Sequence, residues 1–163
     1  MKFQFNFWLL IAFFAVFGIS ACGSDDEPTD PRDEVIGTYN YSVEVTEIDL
    51  GRITDLDESG TLIVSKNGSD KLDFKEGGEL LFTAEKIRNA SNGIVFDIAP
   101  QTQNIGNGVS VTIEGYDVAE LDNTLYNGRY VSGSKKIFTG FTFRTVIDNL
   151  NYQFFYKFEG TKQ

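Results

Sequence analysis

The 163-residue sequence contains one cysteine and no histidine, which sets the chemistry open to it. Without an imidazole there is no Ser-His-Asp or Cys-His arrangement, and the common zinc ligand sets cannot be assembled. Cys22 is the one strong nucleophile. It sits between an apolar run and a highly polar stretch, where there is no core to bury it, so its thiol is available for modification. Carboxylates are the other reactive groups, and a pair of them can hydrolyse glycosides. With 24 Asp and Glu in the chain, however, chance pairs abound. Asp97 stands out near the end of an apolar stretch, yet alternation with Phe96 and Ile98 turns it toward solvent. Asp55, Asp57 and Ser59 place oxygens at alternate positions with Gly60 sixth, the first half of a twelve-residue calcium loop. The twelfth position is Lys66 instead of a bidentate glutamate, and the flanks are β-like, so the expectation is a solvated acidic turn. No catalytic set, metal or cofactor is expected, and the reading is non-enzymatic.

The segment before Cys22 explains the thiol. Met1 and Lys2 give a positive start, Phe7 to Ile19 form an apolar core, and small residues follow, the three parts of a secretory signal. A spanning helix needs about 20 apolar residues, more than this run supplies. Ile19-Ser20-Ala21-Cys22 resembles the lipobox of bacterial lipoproteins, with Ile19, Ser20 and Ala21 as signal-peptidase recognition residues and Cys22 as the lipidated one. The resemblance implies removal of residues 1–21 and acylation by diacylglycerol and palmitate-type chains, each buried methylene adding about 0.8 kcal/mol to membrane anchoring.

Residues 22–34 form an acidic, proline-containing tether with no large apolar side chain to nucleate packing. Within it Ser24-Asp25-Asp26-Glu27 resembles the export signal of Bacteroidetes surface lipoproteins, which implies an outer-membrane protein displayed on the cell surface, with the periplasmic leaflet as the alternative. The formal charge is −10 and becomes more negative when Lys2 leaves with the signal. That balance excludes nucleic acid as a partner, because phosphate binding needs a basic footprint. The membrane is then met through the lipid alone. With its thiol acylated, the fold has no disulfide to rely on.

From Val35 to the end, residues 35–163, the pattern is period two, as in strands with one buried face. Tyr39, Tyr41, Val43 and Val45 alternate with polar residues, and so do Leu62 and Val64, Leu72 and Phe74, then Leu80, Phe82 and Ala84. Ile94, Phe96 and Ile98 continue the series up to Pro100, which ends a strand or lies at an edge. Val109, Val111 and Ile113 follow. The last part is the most strongly β: 129–132, 137–146 and 151–160, with Phe141 and Phe143 on one face and Tyr152, Phe154, Tyr156 and Phe158 on another. Asn67-Gly68, Gly77-Gly78, Asn92-Gly93 and Asp148-Asn149 supply the turns. Residues 117–127 are less regular and read as a loop or a single helical turn. Eight or nine short strands predict an all-β antiparallel barrel or a β-sandwich.

Gly37-Thr38-Tyr39, Ile98-Ala99-Pro100-Gln101-Thr102 and Phe158-Glu159-Gly160-Thr161-Lys162 are similar to segments of small lipocalin-like (calycin-like) lipoproteins of Bacteroidetes. The resemblance covers the domain from about Val35 onward, with Tyr39 where lipocalins carry tryptophan. It implies an up-and-down barrel of about eight strands and a basic residue of the last strand over that aromatic, with Lys157 as the candidate. An eight-stranded barrel either fills with side chains or holds one small ligand. Tyr39, Tyr41, Phe141, Phe143, Phe154 and Tyr156 are the ligand-binding candidates if it is hollow, and core if it is not. The leading expectation is a binding protein for a small apolar molecule, a glycan or an envelope protein. The rival is a filled interaction module in an envelope or nutrient-uptake assembly, marked by a solid interior and an exposed apolar patch.

Overall fold

The structure, a computed structural model, describes residues 30–49, 52–105 and 108–163. Cys22, the lipobox residues Ile19, Ser20 and Ala21, and the export residues Ser24, Asp25, Asp26 and Glu27 lie outside the described residues. Among the described residues one short helix, α1 (Arg32–Val35), precedes twelve strands: β1 (Gly37–Asp49), β2 (Arg52–Asn67), β3 (Lys71–Glu76), β4 (Glu79–Ala90), β5 (Gly93–Ile98), β6 (Gln101–Asn104), β7 (Ser110–Gly115), β8 (Ala119–Leu121), β9 (Thr124–Tyr126), β10 (Gly128–Val131), β11 (Lys136–Ile147) and β12 (Leu150–Lys162). All ladders are antiparallel. Eight strands close on themselves in the order β1-β2-β3-β4-β5-β10-β11-β12, the last pairing with the first. That closure makes the domain a barrel and disposes of the sandwich alternative.

The chain rises through β5 and β6, turns, descends through β7, detours over the outer wall as the β8–β9 hairpin, and finishes the descent in β10. Above the closed ring, β11 therefore pairs with β7 instead of β10. The seam between β4 and β6 is bridged by single bonds. Ala99 donates its amide to the Thr83 carbonyl at 2.9 Å, and the Gln103 amide donates to the Leu81 carbonyl at 3.1 Å. Pro100, with no N–H to give, stands at this seam just past the end of β5.

Residues 117–127 are a correction: they contain a hairpin, and Asp122 and Asn123, with φ of 51° and 59°, make its two-residue turn. Two successive positive φ values match the right-handed twist of the strands they join. Tyr126 of this hairpin is buried, and so is Val95 on the outer side of β5. Gly140 makes room for the segment that leads into it. A Cβ there would lie 2.4 Å from the Tyr116 ring and 2.7 Å from Val118 Cγ1.

α1 stoppers the lower end, and residues 30–34, read from sequence as the end of the tether, are part of the packed domain. Arg32, only 8% exposed, donates to the Gly68 carbonyl at 2.9 Å and grips Asp30 at 2.6 Å, while Lys66 reaches Asp30 at 2.9 Å and Asp33 at 2.7 Å. The Arg32 and Lys66 hydrogen bonds hold the Asp30 carboxyl well below the usual carboxylate range. Asp33 and Asp30 in turn raise Lys66, so the cluster stays fully ionised.

Candidate functional site

The inner parity of each strand decides whether the barrel is hollow. Leu62 and Val64, Leu72 and Phe74, Phe82 and Ala84, Ile94, Phe96 and Ile98, Ile137 and Phe141 all point inward and are at most 2% exposed. Their rings form a continuous column. Phe74 stacks on Phe82 with centroids 4.4 Å apart and tilts onto Phe96 at 5.5 Å; Phe82 meets Phe141 at 5.0 Å. Gly128 is what lets Phe96 into the wall, since a Cβ there would fall 2.1 Å from its ring. The centre is occupied by these rings at ordinary aromatic contact distances.

The column continues toward the upper mouth. Phe141 lies parallel to Tyr156 at 5.0 Å and 5°, and Phe143 sets its edge against both, at 5.5 and 4.8 Å. Phe143, Phe154 and Tyr156 are half-buried against the core cluster, and Tyr41 stacks on Phe158 at 4.8 Å. Of the sequence candidates, Phe141, Phe143, Phe154 and Tyr156 are thus brought together, and Tyr41 stands beside them. Tyr39 is apart: it is fully buried at the lower end and donates its hydroxyl to the Val35 carbonyl. Burial pushes its phenol upward.

Three carboxylates on the inner parity ring this mouth. Glu47 faces Phe154 across the β1–β12 ladder, Glu58 faces Val43 across β1–β2, and Glu76 faces Leu62 across β2–β3. Tyr41 donates its hydroxyl to Glu76, an approach that Gly60 permits, since a Cβ there would be 2.9 Å from both partners. Burial, reinforced by the charges of Glu58, Glu47 and Glu76, pushes the Tyr156 hydroxyl up to about 12. It therefore stays a neutral donor at physiological pH. None of the three glutamates was singled out from sequence, although the signal was there: each shares the parity of the apolar residues on its strand, and a charge on that parity marks where the dry core ends.

The remaining sequence candidates find other settings. Asp55, Asp57 and Ser59 do not lie in a turn. They occupy register positions opposite Thr46, Glu44 and Ser42 in the straight ladder between β1 and β2. An extended strand spaces alternate residues about 7 Å apart along a line, whereas a calcium loop must curl its oxygens around one point. β3 covers β2 only from Leu62 to Asn67. Charges along the uncovered stretch discourage another strand from adding to that edge. Asp97 forms a 2.9 Å ion pair with Lys86, which sits at a bulge with φ of 52°. That pairing makes it a structural group, and the carboxylate across from it in the ladder, Glu85, is engaged by Lys71 at 3.8 Å.

Lys157 is also reassigned. It points outward and pairs with Glu44 at 3.6 Å. The basic residue of the last strand that closes the lower end is Lys162, which lies over the Tyr130 ring at 5.9 Å and donates to the Glu34 carbonyl at 2.8 Å. Its Cε occupies the space that a Cβ on Gly37 would need. Leu80, placed inside from sequence, is 37% exposed, because the ladder slips between Phe74 and Lys75 and leaves it near the β3–β4 turn.

Two surfaces were not legible as sites. The adjacent hairpin tips at the upper end carry Ile105, Val146, Ile147 and Leu150, between 38% and 64% exposed. On the outer wall, a groove of about 710 Å³ runs between the β1–β12–β11 face and the Tyr116–Val118 segment. Compared with family models, with curated proteins and with solved structures, the chain found no match. Its own residues therefore carry the functional reading.

Proposed function

We propose that the chain is a non-enzymatic, lipocalin-like lipoprotein, moored through Cys22 to the outer membrane of a Bacteroidetes-type envelope, displayed on the cell surface, and working there as a filled-barrel interaction module. The observation that carries this is the ring column of Phe74, Phe82, Phe96 and Phe141, which occupies the space a small apolar guest would need. Recognition is then an affair of the outside. The exposed aliphatics Ile105, Val146, Ile147 and Leu150 sit on hairpin tips at the upper pole, and α1, where the tether joins the domain, sits at the lower one. Asp30 is at most roughly 26 Å of extended chain from Cys22, at about 3.3 Å per residue. The apolar tips thus face away from the anchoring bilayer, toward a partner protein in an envelope or uptake assembly, where burying such side chains is worth about 1.5–3 kcal/mol each.

Two measurements test the reading together. Palmitate labelling of the native chain, absent in Cys22→Ser, and release of that variant into the soluble fraction report the anchor; protease shaving of intact cells reports the display. Native electrophoresis of gentle detergent extracts reports the assembly, with Ile147→Asp expected to return the chain to monomer size. A native chain that already runs as a monomer, or one that carries a stoichiometric apolar molecule in mass spectrometry, overturns the module.

A further inference from the structure

The groove on the outer wall is independent of the mouth and of the hairpin tips, and its floor is laid down by strand register. One row across the sheet is Ser59, Ser42, Glu159, Phe138 and Arg129; the row above it is Asp57, Glu44, Lys157 and Gly140. Because neighbouring strands are about 4.8 Å apart and like-facing residues about 7 Å apart, donors and acceptors are spread over this floor at fixed spacings. Val118, 38% exposed, stands beside it as an apolar wall, possible only because Gly140 has no side chain. Phe138 adds a half-buried ring to the floor. The volume, about 710 Å³, falls within the range of small-molecule sites, roughly 300–1,000 Å³.

We infer that this groove is a binding site for a neutral oligosaccharide. A sugar ring is polar at its rim and apolar on its C–H faces, and the groove offers the counterpart of each. Ser42 and Ser59 hydroxyls both donate and accept, Asp57 and Glu44 accept, and Lys157 and Arg129 donate. Phe138 and Val118 receive the C–H face. The charges narrow the class further. Lys157 pairs with Glu44 at 3.6 Å, while Arg129 keeps its charge and spends one N–H on the neutral Asn92 side chain at 3.0 Å, so one guanidinium stands at the end of the floor. Asp57 has no basic partner among the described residues, and Glu159 is matched by Lys136 at 2.6 Å. An anionic polysaccharide would therefore meet no surplus of positive charge there, and a lipid would leave the polar floor unsatisfied.

The test uses the lipidated full chain in detergent micelles, titrated with hexaoses of glucose, mannose and xylose and, separately, with oligogalacturonate and an unrelated acidic peptide, read by saturation-transfer NMR and calorimetry. At least one neutral hexaose is expected to bind at millimolar or lower concentration, with contacts at Phe138. Phe138→Ala and Asp57→Asn are each expected to weaken it about tenfold, the effect of one lost charged hydrogen bond or contact face. Asp57 is exposed, so its variant keeps the fold even if Phe138→Ala does not. Absence of binding by all three hexaoses, binding unchanged in Asp57→Asn, or tighter binding of oligogalacturonate or peptide each overturns the assignment. None of these outcomes depends on the hairpin tips, so failure here leaves the assembly reading standing, and failure there leaves the groove.

Discussion

Phe82→Ala is the sharpest test of the filled barrel. Phe82 is 0% exposed, stacked on Phe74 at 4.4 Å and tilted onto Phe141 at 5.0 Å. A buried phenylalanine removes at least about 150 Å² from water, worth roughly 4 kcal/mol at about 25 cal/mol per Å². Part of that is retained by the alanine methyl, while each lost ring pair adds about 0.5–1.5 kcal/mol. The expected cost is therefore about 3–5 kcal/mol, the usual range for Phe→Ala in a core that cannot collapse. Against a total stability of roughly 5–15 kcal/mol, it is read from the shift in urea midpoint at unchanged m-value. The variant should also acquire what the native chain lacks, a dry apolar hole that binds benzene. A loss below about 1 kcal/mol, or benzene binding already present in the native chain, would refute the filled centre.

Other expectations follow from the same geometry. Gly128→Ala puts a Cβ 2.1 Å from the Phe96 ring and should cost about 1–3 kcal/mol in chemical denaturation. Gly140→Val should expel the Tyr116–Val118 segment from β11, seen as faster amide exchange in β8–β9, while the barrel amides keep their protection. Spectrophotometric titration should find Tyr156 ionising near 12, and a uniform phenol midpoint near 10 would contradict its burial. Asp30, its folded pKa depressed by Arg32 and Lys66, stabilises the domain above the ordinary carboxylate value, and that stability fades as pH falls through the depressed one. Asp30→Asn should lower the melting temperature at neutral pH, with the gap to native narrowing in acid.

Much of the barrel was legible because each strand buries one face, and period two records that directly. Tyr39 to Val45, Ile94 to Ile98 and Phe141 to Phe143 all took the faces their alternation gave them. The elements missed were those whose burial comes from outside the strand's own pattern. Val95 has the parity of an outer residue, and Asp122-Asn123, a turn signal with short flanks, was too brief to mark β8 and β9. α1 carries a single apolar residue that is fully buried, Val35, and its arginine is held by carbonyls from the β2–β3 turn and by Asp30. For the candidate site, parity grouped Phe141, Phe143, Phe154 and Tyr156 correctly. It could not separate Tyr39 from them, because one parity runs the whole height of a barrel, from closed end to mouth.

By itself the sequence determined most of the long strands, the turns between them and their inward faces, since these depend on residues near one another in the chain, and it proposed the lipid anchor at Cys22. Tertiary structure alone decided that β12 closes on β1, that phenylalanines from separate strands meet in the centre, and that a glycine in β11 lets a distant segment wall a groove. Those outcomes depend on volumes contributed by residues tens of positions apart, and the period of a pattern carries no information about the space left over when the faces meet.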